Sequence, residues 1–417
     1  MGDTVRRPLG VAYRWLWTSS GLSNLADGVV KVALPLVAVQ YTRSPTLIAG
    51  LAVALVLPWL LFALPAGAFA DRFDRRRMML GANTVRVVLS AAGILAVALD
   101  AGSIWLLYGI AFGLGTAETV YDTSAQSIMP RIVERDQLSR ANSRLFGVEL
   151  TTNQFVGPPL AGFLVAAGVA ATFAAPTALW GLALVALLFV RGSFGTARTA
   201  ETGGRTSLRT DIAEGLRFLW RHRLLRTLAV LTGTVNFATN AAFTVFVLFA
   251  VGSSSAMGLS EPAYGVLFAT TAVGSLVGSL VADRVERVLG RARTFRLALL
   301  TSALLVGIPA VTTNPVLIGA AFFTGGVGIM LWNVIAVSLR QRITPDRLLG
   351  RLNSSYRLLA FGTQPLGALA GGAIAELVGL RWVFATMALL VLLALLGGTR
   401  ALTDDAMHAA ERDTAQV

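Results

Sequence analysis

Cysteine is absent from this chain, which excludes disulfides, thiol catalysis and cysteine metal sites. The two histidines, His222 and His408, stand too far apart in sequence to suggest a pair of metal ligands. No nucleotide-binding loop of the Gly-x-x-x-x-Gly-Lys-Ser/Thr type occurs, so direct use of ATP is not indicated. No constellation of nucleophile and base is visible either. We therefore predict a protein without a metal site or cofactor, and not an enzyme.

Charged residues are also scarce, whereas hydrophobic residues are abundant. Only 14% of the 417 residues are charged, 55% are hydrophobic, and the mean hydropathy is +0.69. A soluble protein of this length carries more charge than that. A helix needs roughly 20 apolar residues to cross the hydrocarbon, and about twelve such runs can be drawn. These predicted spans lie roughly at residues 15–40, 46–69, 79–99, 103–126, 144–168, 171–190, 224–250, 262–282, 294–312, 315–338, 355–378 and 382–400. The sequence therefore predicts an all-α membrane protein with twelve transmembrane helices.

The net charge of +13 comes from arginines that cluster in alternate loops. Clusters follow the second, fourth, eighth and tenth predicted spans, whereas the intervening loops carry little beyond Arg43 and Arg381. This is the positive-inside pattern, which predicts that both termini are cytoplasmic. The charge needs no nucleic-acid partner to explain it. We predict a multi-pass protein of the cell membrane.

The sequence repeats itself at about half its length. Ala70-Asp71-Arg72 returns as Ala282-Asp283-Arg284 at an offset of 212, and Arg131-Ile132 returns as Arg342-Ile343 at an offset of 211. Membrane proteins made of two like-oriented halves hold their substrate between the halves and rock one half against the other. The repeat therefore predicts two pseudo-symmetric six-helix bundles and a transport function.

We place the N-terminal bundle at residues 1–190 and the C-terminal bundle at residues 223–403. The loop 191–222 connects them. Its second part has apolar residues at helical spacing, which predicts a short amphipathic helix on the cytoplasmic surface, with a solvated linker as the alternative; these residues are Leu208, Ile212, Leu216 and Leu219. Residues 404–417 are predicted to form a polar, loosely ordered cytoplasmic tail.

The run GAFADRFDRRR resembles the signature loop between the second and third helices of the major facilitator superfamily. The matching residues are Gly67, Asp71, Arg72, Arg76 and Arg77, whereas Asp74 stands where the pattern has glycine. The segments ETVYDTSAQSIMPRI and LSRAN are similar to the branch of macrolide-efflux and enterobactin-exporter-like carriers, called drug:proton antiporter group three. The resemblance implies the major facilitator fold and a cytoplasmic latch at the five matching residues, closed in the outward-open state.

The fifth span contains a second partial match. Gly157, Pro158 and Gly162 resemble the Gly-Pro motif in the fifth helix of antiporters, although upstream glycines of that motif are missing. Proline frees a backbone carbonyl and bends a membrane helix, while glycine permits close packing. The same residues are therefore also compatible with an ordinary kink.

The first span carries a polar stripe. Ser20, Asn24, Asp27 and Lys31 fall at steps of four, three and four, and so share one helix face. Ionisable groups inside the hydrocarbon are costly unless paired or facing water, and mark a pathway for substrate or protons. Lys31 is the only lysine of the chain. Asn24 is a candidate cavity residue, and Asp27 and Lys31 are candidates for proton coupling. Alternatively, Asp27 and Lys31 only neutralise each other, or Lys31 reaches the outer interface.

The fourth span repeats this pattern, with Glu118 and Asp122 one turn apart on one face. Glu118 is the deeper of the two and is a candidate proton site. Asp122 lies nearer the cytoplasmic end, where it can meet the arginines of the signature loop, and we assign it to the latch. Glu149 in the fifth span suits either role, and Arg86 is the expected counter-charge of these acids.

The second half offers amides and aromatic rings instead of interior acids. Such groups bind amphipathic molecules without demanding a particular charge, although each ring alone is as well explained by packing or lipid contact. The candidate cavity residues here are Asn236, Asn240, Trp332, Asn333, Phe361 and Gln364.

These observations favour a secondary active transporter, working as a monomer in the lipid bilayer, that exports amphipathic small molecules in exchange for protons. The alternatives are a siderophore, lipid or nutrient transporter of the same fold, and a membrane sensor that transports nothing. Asp27, Lys31 and Glu118 argue against the sensor, because ionisable side chains inside the hydrocarbon destabilise the protein and a sensor does not need them.

Overall fold

The computed structural model of this chain describes residues 9–192, 194, 208–398, 401–405, 407, 409 and 411. These residues form fourteen α-helices: α1 (Val11–Tyr41), α2 (Pro45–Arg72), α3 (Arg75–Ala98), α4 (Ile104–Ile132), α5 (Leu138–Leu150), α6 (Gly157–Ala167), α7 (Val169–Leu188), α8 (Leu208–Arg221), α9 (Arg223–Ala250), α10 (Glu261–Leu289), α11 (Arg291–Val311), α12 (Pro315–Arg342), α13 (Asp346–Val378) and α14 (Leu380–Gly398). The first part of the predicted connecting loop, the side chain of Asp71 and His408 lie outside the described residues.

Ten of the described helices are long and apolar enough to cross a membrane: α1, α2, α3, α7 and α9 to α14. The prediction of an all-helical membrane protein is confirmed. The two other predicted spans correspond to α4, which carries Glu118 and Asp122, and to the segment from α5 to α6, which is interrupted. The count of twelve spans stays a prediction.

The described residues group into two compact units. The first comprises those within Met1–Tyr41, Ala54–Ala200 and Ser260–Gly265, and the second those within Thr42–Val53, Glu201–Leu259 and Val266–Val417. In the first unit α1 packs against α6 and α7, and α3 packs against α4 and α7. In the second unit α9 packs against α13 and α14, and α11 packs against α12 and α14. The domain boundaries drawn from the sequence stay a prediction.

The second unit has an aromatic core. Six phenylalanines from four helices approach one another with ring centroids 5.0 to 6.2 Å apart, in the tilted and edge-on arrangements that aromatic pairs prefer: Phe243, Phe246, Phe249, Phe268, Phe322 and Phe384. Packing between helices therefore accounts for these six rings of the second half.

A π-helical turn, Thr151–Val156, joins α5 to α6. Pro158 and Pro159 follow this turn and have no N–H to donate to it, so the regular hydrogen-bond pattern is interrupted there. The helix widens, and the Gly157 amide donates to the carbonyl of Thr152, five residues back. The widened turn lies directly against α1. A Cβ added to Gly28 would lie 2.7 Å from the Cα of Asn153, because the two backbones touch at this point.

The described residues after α14, between positions 401 and 411, are docked onto the second unit, although the polar composition of this region predicts a loosely ordered tail. Leu402 and Met407 are buried in the core of that unit. Asp404 accepts a hydrogen bond from the Ala292 amide at the start of α11, at 3.0 Å. Glu411 forms ion pairs with Arg291 at 2.6 Å and Arg342 at 3.6 Å. Two apolar side chains, a helix cap and a shared carboxylate hold the segment where composition alone indicated a free tail.

We expect Gly28→Ala to destabilise the protein by about 1–3 kcal/mol, the usual cost of overpacking. The added methyl group meets backbone, which cannot turn aside as a side chain can. The measurement is thermal unfolding in detergent, followed by intrinsic tryptophan fluorescence. The matched control is Gly109→Ala in α4, where a Cβ meets nothing within 4 Å. A Gly28→Ala variant that melts with the wild type would contradict the close contact between α1 and the π-helical turn.

Candidate functional site

The polar stripe of α1 faces the interior of the first unit for most of its length. Ser20 and Asp27 are buried, Asn24 is half-buried, and Lys31 is exposed over 41% of its side chain. Each of the two charged residues has a different partner.

Asp27 pairs with Arg86 of α3, with 3.3 Å between its Oδ2 and Nη2 of the arginine. The side chains are 5% and 0% exposed, so this ion pair is closed off from water. Nη1 of Arg86 also donates to Ser23 Oγ at 2.6 Å and to Asn83 Oδ1 at 3.2 Å. A buried guanidinium must have such partners, because it cannot be deprotonated in proteins.

Two aromatic rings complete the surroundings of Arg86. Its guanidinium carbon lies 5.1 Å from the ring centroid of Tyr121 on α4 and 5.7 Å from that of Trp180 on α7. Both distances are within the range of cation–π attraction, which strengthens when the cation is desolvated. Arg86 therefore contacts residues of α1, α4 and α7 as well as its own helix.

Lys31 pairs with Glu118 of α4, with 3.0 Å between Nζ and Oε1. Their side chains are 41% and 24% exposed, so this pair is far more open than that of Asp27 and Arg86. The pairing of Asp27 with Lys31, left open by the sequence, is not found among the described residues. Arg86 does act as a counter-charge, but its ion-pair partner is Asp27 and not the acids of the fourth or fifth span for which it was expected.

Asp122 lies on α4 one turn after Glu118 and is half-buried. The charged groups that act on it are Glu118, Asp27, Arg86 and Lys31. Asp122 thus belongs with the charges of the interior, and its assignment to the latch remains a prediction. We call these five residues, Asp27, Lys31, Arg86, Glu118 and Asp122, the buried charge cluster. It contains three carboxylates and two cations.

Glu149 contacts the polar stripe of α1 near its N-terminal end, at Ser20. Its Oε1 accepts a hydrogen bond from Ser20 Oγ at 2.9 Å. Beside it, Nδ2 of Asn153 in the π-helical turn donates to Oδ1 of Asn24 at 3.4 Å. The turn therefore places two polar contacts against the stripe, which the sequence did not reveal.

The signature loop is tied to the end of α7. Arg76 donates through Nε to the carbonyl of Leu187 and through Nη2 to that of Leu188, both at 2.9 Å. Arginine at a helix C-terminus satisfies carbonyls that have no partner inside the helix. Gly67 lies in α2, and Arg72 and Arg77 are exposed.

Sequence reasoning missed the part played by Asp74, which replaces the glycine of the signature pattern. Its Oδ1 caps α3 by accepting from the Arg77 amide at 3.0 Å, and its Oδ2 accepts from the Phe194 amide at 2.9 Å. Arg75 donates to the carbonyl of Phe194 at 3.3 Å. The departure from the pattern thus provides a helix cap and anchors the chain after α7. An aspartate directly before a helix start is the signal that could have shown the cap.

Two of the cavity candidates in the second unit are engaged in helix packing. Trp332 is buried, stacks edge-on against Phe295 at 4.8 Å and donates from Nε1 to Thr232 Oγ1 at 2.9 Å. Asn236 donates to the carbonyl of Ala360 at 2.7 Å and so links α9 to α13. Of the remaining candidates, Asn333 and Phe361 are exposed and Asn240 and Gln364 are half-buried.

The fold is that of known membrane transporters. The nucleoside transporter NupG matches with a TM-score of 0.71 and 10% identity, covering 94% of this chain and 99% of that structure. A bacterial homologue of the iron transporter ferroportin, in an inward-facing state, matches with a TM-score of 0.66 and 18% identity, covering 93% and 98%. These likenesses show a fold shared with known membrane transporters, and ten of the described helices are long and apolar enough to cross a membrane.

The model of one family of the major facilitator superfamily, described as transmembrane secretion effector, matches residues 7–414. The chain belongs to that family. It is also similar to the multidrug efflux pump Tap of Mycobacterium tuberculosis, at 28% identity over 387 residues and 88% of each chain. Tap of Mycolicibacterium fortuitum is 26% identical over 415 residues, covering 94% of this chain and 95% of the relative. The predicted family is therefore confirmed: the chain is a major facilitator transporter that is similar to drug-efflux pumps.

We expect Asp27→Asn and Arg86→Gln each to destabilise the protein strongly, because each leaves a buried charge without its partner, at a cost of about 3–5 kcal/mol. The double variant should recover part of the loss, because neither charge then remains. The measurement is thermal unfolding of all three variants in detergent. The control pair is Lys31→Gln and Glu118→Gln, whose more open ion pair should cost less. A double variant less stable than either single variant would rule out this pairing.

Proposed function

We propose that this protein is a proton-coupled exporter of amphipathic small molecules, antibiotics or secondary metabolites, in the cell membrane. The relationship to multidrug efflux pumps supports export. The buried charge cluster is the single observation that supports coupling to protons. We further propose that α4 and the segment from α5 to α6 complete twelve spans, that both termini are cytoplasmic, and that the protein works as a monomer by alternating access.

The charge balance of the cluster supports this reading. Asp27 and Glu118 are each paired with a cation, whereas Asp122 is the third carboxylate among only two cations. Charge inside a low-dielectric region is costly unless it is compensated. Two kinds of partner can remove the surplus negative charge: a proton, or a cationic group on a substrate. Competition between the two for the same charge is what an antiporter requires.

The pair of Lys31 and Glu118 is the part of the cluster best suited to change its state. Both side chains are partly exposed, so protons and substrate can reach them, while the pair of Asp27 and Arg86 is closed off. Protonation of Glu118 removes the attraction that holds Lys31 at 3.0 Å. Lysine, unlike arginine, can then change its own protonation or its partner. Asp27 and Arg86 meanwhile keep the packing of α1 against α3.

We propose that the two halves have different roles. The first unit holds the candidate proton groups Lys31, Glu118 and Glu149, together with Asp27, whose closed pair with Arg86 suits it to packing. In the second unit Trp332 and Asn236 are held by packing, so we assign substrate contact to Asn240, Asn333, Phe361 and Gln364. An uncharged wall of this kind accepts differently shaped amphipathic molecules.

We expect Glu118→Gln to abolish proton movement that is driven by substrate. In everted vesicles acidified inside, adding a transported cationic dye should release protons through the wild type, and at least tenfold more slowly through the variant, because a glutamine cannot carry a proton. The matched control is Glu376→Gln, since Glu376 accepts hydrogen bonds from Ser44 and Thr46 in the second unit. Unchanged proton release in Glu118→Gln would refute the proton assignment and leave the family membership intact.

No change in drug sensitivity when a pump-deficient host expresses the wild type would refute export.

We expect Asp122→Asn to reduce export of a cationic amphipathic compound more than export of a neutral compound of similar size, because it removes the surplus negative charge. At an effective dielectric constant near 20 a charge pair contributes several kcal/mol, which corresponds to a difference of at least about tenfold. Export rates of a matched cationic and neutral dye, measured in the same vesicles, test this. Equal reductions for both dyes would show that Asp122 does not select charge.

A further inference from the structure

Two adjoining cavities lie on the second unit beside α8. One, of about 320 Å³, is lined by apolar parts of α9, α13 and α14, among them Val230, Phe237 and Leu390. The other, of about 460 Å³, is lined by Leu216, Arg217, Trp220 and Leu359. Trp220 and Leu359 line both cavities, so the two form one continuous groove, which we call the α8 groove.

The floor of the α8 groove follows one face of a membrane-spanning helix. Val230, Gly233, Thr234 and Phe237 of α9 all line it, and their spacing of three and four residues places them on one side of the helix. Val230 is half exposed in this structure. Since α9 is long and apolar enough to cross a membrane, this face is available to lipid tails.

Helix α8 is held firmly enough to form a wall of the groove. Leu219 is fully buried in the core of the second unit, and Glu214 forms an ion pair with Arg351 of α13. On the other side of the same helix, Trp220 is 49% exposed and Arg217 is exposed. Tryptophan is enriched where hydrocarbon meets head groups, because its ring is apolar and its N–H is polar.

The stretch of chain that begins at Arg217, which lines the groove, carries charge of one sign. Four exposed arginines follow one another within ten residues: Arg217, Arg221, Arg223 and Arg226. Glu214, three residues before this stretch, forms an ion pair with Arg351. A largely apolar groove with Arg217 in its lining matches a molecule with a hydrocarbon chain and an anionic head.

We propose that the α8 groove binds an anionic phospholipid of the surrounding leaflet, with an acyl chain along α9 and its phosphate at Arg217. The bound lipid fills an apolar surface that α8 would otherwise hold open, and it links the short helix to the membrane. A cationic drug does not suit this place, because it would meet the positive charge of Arg217. This lipid site is separate from the buried charge cluster and does not depend on proton coupling.

The test uses Trp220 as the reporter. The full chain is reconstituted in vesicles that contain either brominated phosphatidylglycerol or brominated phosphatidylcholine, since bromine quenches nearby tryptophan. Subtracting the quenching of Trp220→Phe from that of the wild type isolates the signal of Trp220. We expect the anionic lipid to quench this signal at a several-fold lower mole fraction than the zwitterionic lipid does.

Arg217→Gln should weaken the preference for the anionic lipid about fivefold, the effect of one basic side chain near an anionic head group. Arg293→Gln is the matched control, because Arg293 is exposed and lines neither cavity. Val230→Phe, which fills the floor, should reduce quenching by both lipids. Equal quenching by the two lipids in the wild type, equal effects of Arg217→Gln and Arg293→Gln, or displacement of the lipid by a transported cationic dye would each overturn the proposal.

Discussion

The interior of the first unit depends on the guanidinium of Arg86. A guanidinium group is charged in proteins, and that of Arg86 has no exposed surface here. Its positive charge must therefore be balanced by the polar and aromatic groups around it. Asp27 and Ser23 approach it from α1, Asn83 from its own helix, and Tyr121 and Trp180 from α4 and α7. Four helices are thereby fixed around one cation, and the more open pair of Lys31 and Glu118 is positioned beside it.

The membrane class and the family could be predicted from the sequence, because composition and the signature loop indicate them. The residue types of the charged interior could also be predicted, because the spacing from Ser20 to Lys31 places these polar residues on one face of a single helix. The pairings could not, because they depend on how α1, α3 and α4 are rotated about their axes. That rotation brings Arg86 to Asp27 and Glu118 to Lys31, and no spacing within one helix encodes it. The role of Asp74 was hidden for a related reason: its second partner, the Phe194 amide, is 120 residues away.

For the aromatic and amide residues of the second half, the residue types could be read from the sequence but their roles could not. Their chemistry fits a binding wall and helix packing equally well, and only the position of each side chain separates the two. Trp332 and Asn236 turned out to link helices, with Thr232 and the carbonyl of Ala360 as partners. The two units nevertheless share one device, since Arg340 lies 4.2 Å from the ring centroid of Tyr356 much as Arg86 lies against Tyr121. Each unit thus holds an arginine above a tyrosine ring.

The wide turn at Thr151–Val156 has a consequence for the direction in which Glu149 points. A turn closed by a bond to the fifth residue back holds one residue more than a regular turn, and one residue corresponds to about 100° of rotation in an α-helix. Everything on the N-terminal side of the turn is therefore rotated by that angle relative to a straight helix built from α6. A regular helix would turn Glu149 away from Ser20, so the two prolines beyond the turn, nine and ten residues further along the chain, determine which way this carboxylate faces.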